Sequence, residues 1–307
     1  MLICDMHNDL PDKVIGGTGI TTNDGHWSED KLKKENTYVQ IFASYVNKYK
    51  FDDPFDRVNS MILKFKEELA KTETLLVTDY EGLEKNIKEG RNSAILAIEG
   101  GEALGGRIER VKYFYDLGVR FMTLTWSHTN QLGESNGPWC NRGPLTEFGK
   151  AVVKEMNRLN MTVDVSHLSD AGFWSAIEVS DKPIVATHSD SRAVHDHFRN
   201  LTDEQFVAIK DCGGLVGINY GPGFLAGGDK ATFKDIVKHI EHFMSLGGEN
   251  TVCLGGDLDG IGALPEGMRG IQDVDKIAEE LAKINYSDEI IAKIMGENLK
   301  NYIKIAF

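Results

Sequence analysis

The chain has 307 residues, 41% of them hydrophobic, with 47 acidic side chains against 34 basic ones and a net charge of −13. That hydrophobic content is enough to bury a large core, and the negative balance repels a phosphate backbone, which argues against nucleic acid as a partner. No basic and apolar leader opens MLICDMHNDL, and no run nears the roughly 18 apolar residues of a membrane helix, so a cytoplasmic location with no membrane attachment is expected.

The first predicted strand is LICDMH at 2–7. Residues 11–53 follow as a long segment rich in Gly, Thr and Asn, read as an elaborated first loop that ends in a helix near 35–48. A helical period runs over 54–71, then a further strand candidate, TLLVTD, at 74–79. Beyond it, apolar β-branched runs alternate with amphipathic segments. The runs are SAILAIE (93–99), VRFMTLTW (119–126), MTVDVSH (161–167), PIVATH (183–188), LVGINY (215–220) and TVCLGGD (251–257). The helical segments are 107–117, 144–158, 169–179, 202–211, 231–246, 273–284 and 287–304.

Strands alternating with helices imply βαβ units and a parallel sheet, whose doubly buried strands are nearly continuous in apolar residues, as AILAI and IVAT are. Eight such units predict an α/β fold of the (β/α)8 TIM-like barrel type. No linker or repeat divides it, so residues 1–307 are expected to form a single domain. No G-x-G-x-x-G follows the first strand, which weighs against a dinucleotide site. Cys4, Cys140, Cys212 and Cys253 are scattered and form no C-x-x-C pair, which argues against a thiolate metal site and a disulfide framework.

Ionisable residues recur at strand ends: His7 and Asp9, Glu99, His167, His188 and Asp257. A barrel gathers the C-terminal ends of its strands into one ring, so these distant residues should converge. His7 and Asp9 lie two apart, and in extended backbone they point the same way. Glu99 directly follows apolar residues, where a carboxylate is costly to bury unless it is paired or metal-bound. Imidazoles and carboxylates without thiolates suit zinc, with manganese, cobalt or iron as substitutes. Five such ligands exceed the need of one ion and fit two ions sharing a carboxylate, an arrangement suited to hydrolysis.

The motifs DMHNDLP (5–11), AIEGGEAL, VDVSHLS, PIVATHSDSRAV with HFRN, LGGDLDG and GENLKNYI resemble, in order, those of the membrane (renal) dipeptidase family of zinc peptidases in the amidohydrolase superfamily. The resemblance runs nearly end to end. It implies two zinc ions per chain, His7 and Asp9 on one, His167 and His188 on the other, and Glu99 on both. It further implies a dipeptide substrate whose carboxylate is gripped by Arg199, hydrolysis through a metal-bridging hydroxide, and Asp257 as the proton carrier, with Asp259 as its nearby competitor. A homodimer is also in keeping with it.

The segment FMTLTWSHTNQLGES departs from the pattern. Trp126 stands where many members carry a substrate-site histidine, and His128 comes two residues later. Either His128 takes the catalytic and substrate-binding task through a loop shift, or the metals alone hold the oxyanion. Rival readings are an N-acyl amino acid deacylase or a lactonase on the same scaffold and, from another class, a non-catalytic metal-binding barrel.

Overall fold

The structure is a computed structural model and describes residues 1–47 and 49–307. Eight strands pair in parallel: β1 (Leu2–Asp5), β2 (Thr37–Tyr45), β3 (Leu75–Leu76), β4 (Ser93–Glu99), β5 (Val119–Thr123), β6 (Thr162–Asp164), β7 (Val216–Ile218) and β8 (Val252–Leu254). Their order is β6-β5-β4-β2-β1-β8-β7, with β3 beside the start of β4. The result is an α/β fold built on a curled parallel sheet with helices packed on it. Between the sheet's ends lies segment 183–188. There Val185 makes one parallel bridge to Asp164 and Ala186 another to Val216.

The helix expected near 35–48 is instead the strand β2, and it is the longest of the sheet; Lys48 lies outside the described residues. TYVQIFASY is rich in β-branched and aromatic side chains and is buried nearly throughout. It inserts between β1 and β4, so the first loop spans only the stretch before it. Its polar residues are what hide the strand. Gln40 is buried because its amide donates to the Asp5 carboxylate at 3.1 Å. Two other strand candidates shrink: 74–79 contributes only Leu75–Leu76, and 183–188 only its two bridges.

The helical periods largely recur as helices, at Pro54–Leu69, Glu109–Asp116, Glu147–Leu159, Asp170–Val179, Asp203–Asp211, Phe233–Ser245 and Lys276–Lys283. The last period, 287–304, is interrupted by a π turn at Lys293–Glu297. Many of these helices start on a capping side chain. Thr146, Ser169 and Thr202 each accept a backbone N–H of the first turn. Among the described residues, no helix is long and apolar enough to cross a membrane.

Close approach fixes the strand ends. Gly217 and Gly255, neighbours on β7 and just past β8, lie directly against the Thr187 carbonyl oxygen, so a Cβ on either would collide with it. The Ala186 carbonyl accepts Gly217 N–H at 2.8 Å, and the Gly217 carbonyl accepts Ser189 N–H at 2.8 Å. These contacts pin the backbone on both sides of His188.

Candidate metal centre

The sheet brings His7, Asp9, Glu99, His167, His188 and Asp257 to one end, each at or just past the C-terminal end of its strand or bridge. All are buried. Glu99 is the hub. Its Oε1 lies 3.0 Å from His167 Nε2 and 3.3 Å from His188 Nε2, and its Oε2 lies 3.6 Å from His7 Nε2. Asp9 Oδ2 stands 3.9 Å from the same His7 nitrogen. Two sets of donor atoms, His7–Glu99–His188 and His7–Asp9–Asp257, each fall within 4.8 Å of one another, close enough to hold an ion.

The tautomer of His188 follows from the groups behind it. Asp164, at the end of β6, accepts from the Thr123 hydroxyl at 2.5 Å, the Thr187 hydroxyl at 2.6 Å, Ser166 N–H at 3.0 Å and Thr187 N–H at 2.9 Å. A hydroxyl has one proton, and Thr187 gives it to this carboxylate. Its oxygen must therefore accept from His188 Nδ1, 2.8 Å away. With its proton on Nδ1, His188 presents a bare Nε2 lone pair to the centre. His7 Nδ1 approaches the same hydroxyl oxygen at 3.3 Å, and its Nε2 is buried without a partner.

Charges crowd here. Burial works against a charge on His7, but Glu99, followed by Asp9 and Asp257, overrides it and raises the imidazole to about 10. Burial, then Arg199, lowers His167 to about 4, and burial, then His7, holds His188 well below its usual value. Burial alone would raise Glu99, yet His7 and hydrogen bonds from the imidazoles carry it well below the ordinary carboxylate range. Asp9 is pushed well up by burial and by Glu99. Burial raises Asp257 to about 6, with His7 opposing and Glu99 assisting. The neutral imidazoles of His167 and His188 and the clustered carboxylates suit a cation, which would take the place of the proton that His7 otherwise holds. The unpartnered buried atoms His7 Nε2 and Asp9 Oδ1 are left as further donors to it.

The backbone is shaped for this cluster. His167 and Asp257 sit at φ 67° and 56°, a region uncommon for side-chain-bearing residues and found where function imposes strain. Gly260 leaves room that the carboxylates fill, since a Cβ there would strike both Asp9 Oδ2 and Asp257 Oδ1.

Arg199 is buried beside the ring. Its Nη2 donates to the His188 carbonyl at 3.3 Å, while Nε and Nη1 have no acceptor. The loop that carries it folds back through a bridge between Ser191 and Leu201, and Asn200 ties it to the carbonyls of His195 and Phe224 at 2.9 Å each. On the Asp9 side, an open cleft is lined by Asp9, Asp12, Lys13, Tyr45, Trp126, Asp259 and Gly260.

His128 stands further out than the other site residues. Trp126 is the ring beside His167, at 6.3 Å between centroids, and His128 packs on Trp126 at 5.5 Å and beneath Trp139, whose indole N–H reaches His128 Nδ1 at 3.2 Å. Asp259 is engaged elsewhere. It accepts from Lys13 Nζ and His26 N–H at 2.7 Å each and from Trp27 N–H at 3.1 Å, clamping the first loop. Asp164, Thr187 and Asn219 were not among the expected site residues. Asn219 donates to Asp257 Oδ2 at 3.0 Å. The available signal was polar residues set within the apolar runs VDVS, IVAT and VGIN.

A family model described as membrane dipeptidase (peptidase family M19) matches residues 1–306. The chain belongs to this family. Dipeptidase 3 of Homo sapiens is 29% identical over 97% of this chain and 63% of its own length. The chain spans about three fifths of the length of such curated relatives. Two solved structures share the fold. A dipeptidase described as a metallopeptidase of family M19 has a TM-score of 0.92 at 24% identity, covering 100% of this chain and 98% of that one. A Rhodobacter sphaeroides metallopeptidase, liganded with a phosphinate mimic of the dipeptide L-Ala-D-Ala, has a TM-score of 0.90 at 23% identity, covering 100% and 99%.

If Thr187 sets the His188 tautomer, Thr187→Val should leave the fold intact but weaken metal affinity by about 10–100-fold. Competition with a coloured chelator measures this, and an unchanged affinity would exclude the role.

Proposed function

We propose that this member of the membrane dipeptidase family is a divalent-metal dipeptidase that hydrolyses the single peptide bond of dipeptides. The observation that carries the reading is the pairing of two features: the ring of imidazoles and carboxylates around Glu99, and a buried guanidinium beside it with two N–H groups unmet. Buried donors of a charged group demand an anion, and a carboxylate meets the flat fork of arginine with two parallel hydrogen bonds.

The residues that would hold two zinc ions are His7 and Asp9 for one, His167 and His188 for the other, and Glu99 for both; manganese, cobalt or iron are acceptable to the same ligands. Bound by these residues, such ions would supply Lewis acidity, lowering the pKa of water and polarising a carbonyl. The protein's own groups do the rest. Arg199 fixes the substrate by its C-terminal carboxylate. Asp257 is held through Oδ2 by Asn219, and its Oδ1 takes a proton from the attacking water and passes it to the leaving amine. His128 lies beyond Trp126 and would reach the substrate carbonyl only through a shift of its loop, the metals otherwise holding the oxyanion. The sheet, in this reading, closes as a (β/α)8 barrel through segment 183–188, with Val185 and Ala186 joining its two ends.

An N-acyl amino acid also carries a free carboxylate and would satisfy Arg199, so a deacylase is the competing activity; a lactone lacking that group would not. Hydrolysis assays on L-L and L-D dipeptides, acylated amino acids and lactones separate the three.

Treatment with a chelator should abolish dipeptide hydrolysis and added zinc should restore it; full activity in metal-free protein would contradict the proposal. Arg199→Ala should raise KM for dipeptides, with a total loss in kcat/KM of about 2–5 kcal/mol, whereas His128→Ala should act mainly on kcat. An unaltered KM in the arginine variant would remove Arg199 from substrate binding.

A further inference from the structure

Asn219 follows β7, is buried, and uses both ends of its side-chain amide. Its Oδ1 accepts the Gly221 backbone N–H at 2.6 Å, and its Nδ2 donates to Asp257 Oδ2 at 3.0 Å. The first contact determines the second. Turning the amide over would set its NH2 against the Gly221 N–H and its carbonyl oxygen against the Asp257 carboxylate, two repulsive pairings in a dry site. Gly221 thus forces Asn219 to aim a donor at Asp257.

The backbone of Asn219 is held as firmly as its side chain. Its N–H donates to Asp190 Oδ1 at 3.1 Å, and Asp190 is itself completely buried. The strand before it pairs with β8 from Val216 to Ile218, and Gly255 N–H donates to the Ile218 carbonyl at 3.1 Å. Asn219 and Asp257 therefore leave adjacent strands in fixed register. Asp257 has more need of such support than an ordinary strand-end residue, because its backbone sits at φ 56°. Its other oxygen, Oδ1, lies toward Asp9, as the shared crowding at Gly260 records.

We propose that Asn219 is a positioning residue for the reaction: its hydrogen bond to Oδ2 holds the Asp257 carboxylate in the rotation that turns Oδ1 toward the reacting water. Asn219 touches neither substrate nor metal in this role and works only through Asp257. The inference rests on the reading of Asp257 as the proton carrier of a dipeptidase.

Asn219→Ala is the informative variant, because it removes the donor toward Asp257 without setting a second carboxylate beside it. In the zinc-loaded full chain, with the best dipeptide of an L-L and L-D panel, kcat should fall by about 10–100-fold, with KM changed by less than about threefold and metal content equal to the unaltered protein. Adding Asn219→Ala to Asp257→Asn should lower kcat by no more than about twofold further, because residues acting as a unit are not additive. An unchanged kcat in Asn219→Ala, a loss confined to KM, or a full multiplicative loss in the double variant would overturn the proposal. Crystal structures of both proteins give a readout independent of activity: the Asp257 carboxylate should be rotated in the variant, and an unmoved carboxylate overturns the proposal. If the unaltered zinc-loaded protein hydrolyses no dipeptide, the functional reading fails, and the crystal comparison still decides whether Asn219 positions Asp257.

Discussion

A carboxylate removed from water needs positive charge or several donors around it, and Glu99 depends on this more than any other group in the structure. It ends the fully buried strand β4, where an ionised side chain without partners would be far too costly to keep. His7, His167 and His188 reach it from three other places in the chain, and none of them is a sequence neighbour. The parallel sheet makes this possible, because every strand delivers its C-terminal end to the same face. Where strand order brings β1 between β2 and β8, it also brings His7 and Asp9 between Glu99 and Asp257.

Behind the ring, the Asp164 carboxylate and a set of uncharged groups decide which way its protons point. Asp164 consumes the Thr187 hydroxyl proton, and His188 must then present its lone pair inward. Gly221 fixes the amide of Asn219, which in turn fixes one oxygen of Asp257. Arg199 is an exception to this satisfaction. Two of its nitrogens, Nε and Nη1, are buried without acceptors, and near the ring Asn8 Nδ2 and Ser189 Oγ also lack a partner. Unmet donors of this kind cost stability in the free protein and favour an anionic ligand.

Much of the centre was legible in the sequence, for a physical reason. Strand ends in a parallel sheet are places where chemistry collects, so His7, Glu99, His167, His188 and Asp257 could be recognised as one group from apolar runs alone. The role of Arg199, by contrast, came from resemblance, since HFRN in a loop carries no periodic signal. β2 was missed because a strand buried on both faces can still hold a polar residue such as Gln40, whose amide NH2 is met by Asp5 of β1, and such residues break the apolar pattern. Thr187 and Asn219 escaped notice for a similar reason. Each is an ordinary polar residue until its partner on another strand is known. His128 and Trp126 show the opposite limit. Two apart in sequence, they sit at different depths, with Trp126 beside His167 and His128 beyond it.

The account stands on Glu99 being shared between two ions. A crystal structure of the zinc-loaded protein, with anomalous data at the zinc edge, tests this most directly. Two peaks about 3.5–4 Å apart, one beside His7 and Asp9 and the other beside His167 and His188, each within bonding distance of a Glu99 oxygen, are the predicted result. A single ion, or a pair that does not touch Glu99, would contradict it.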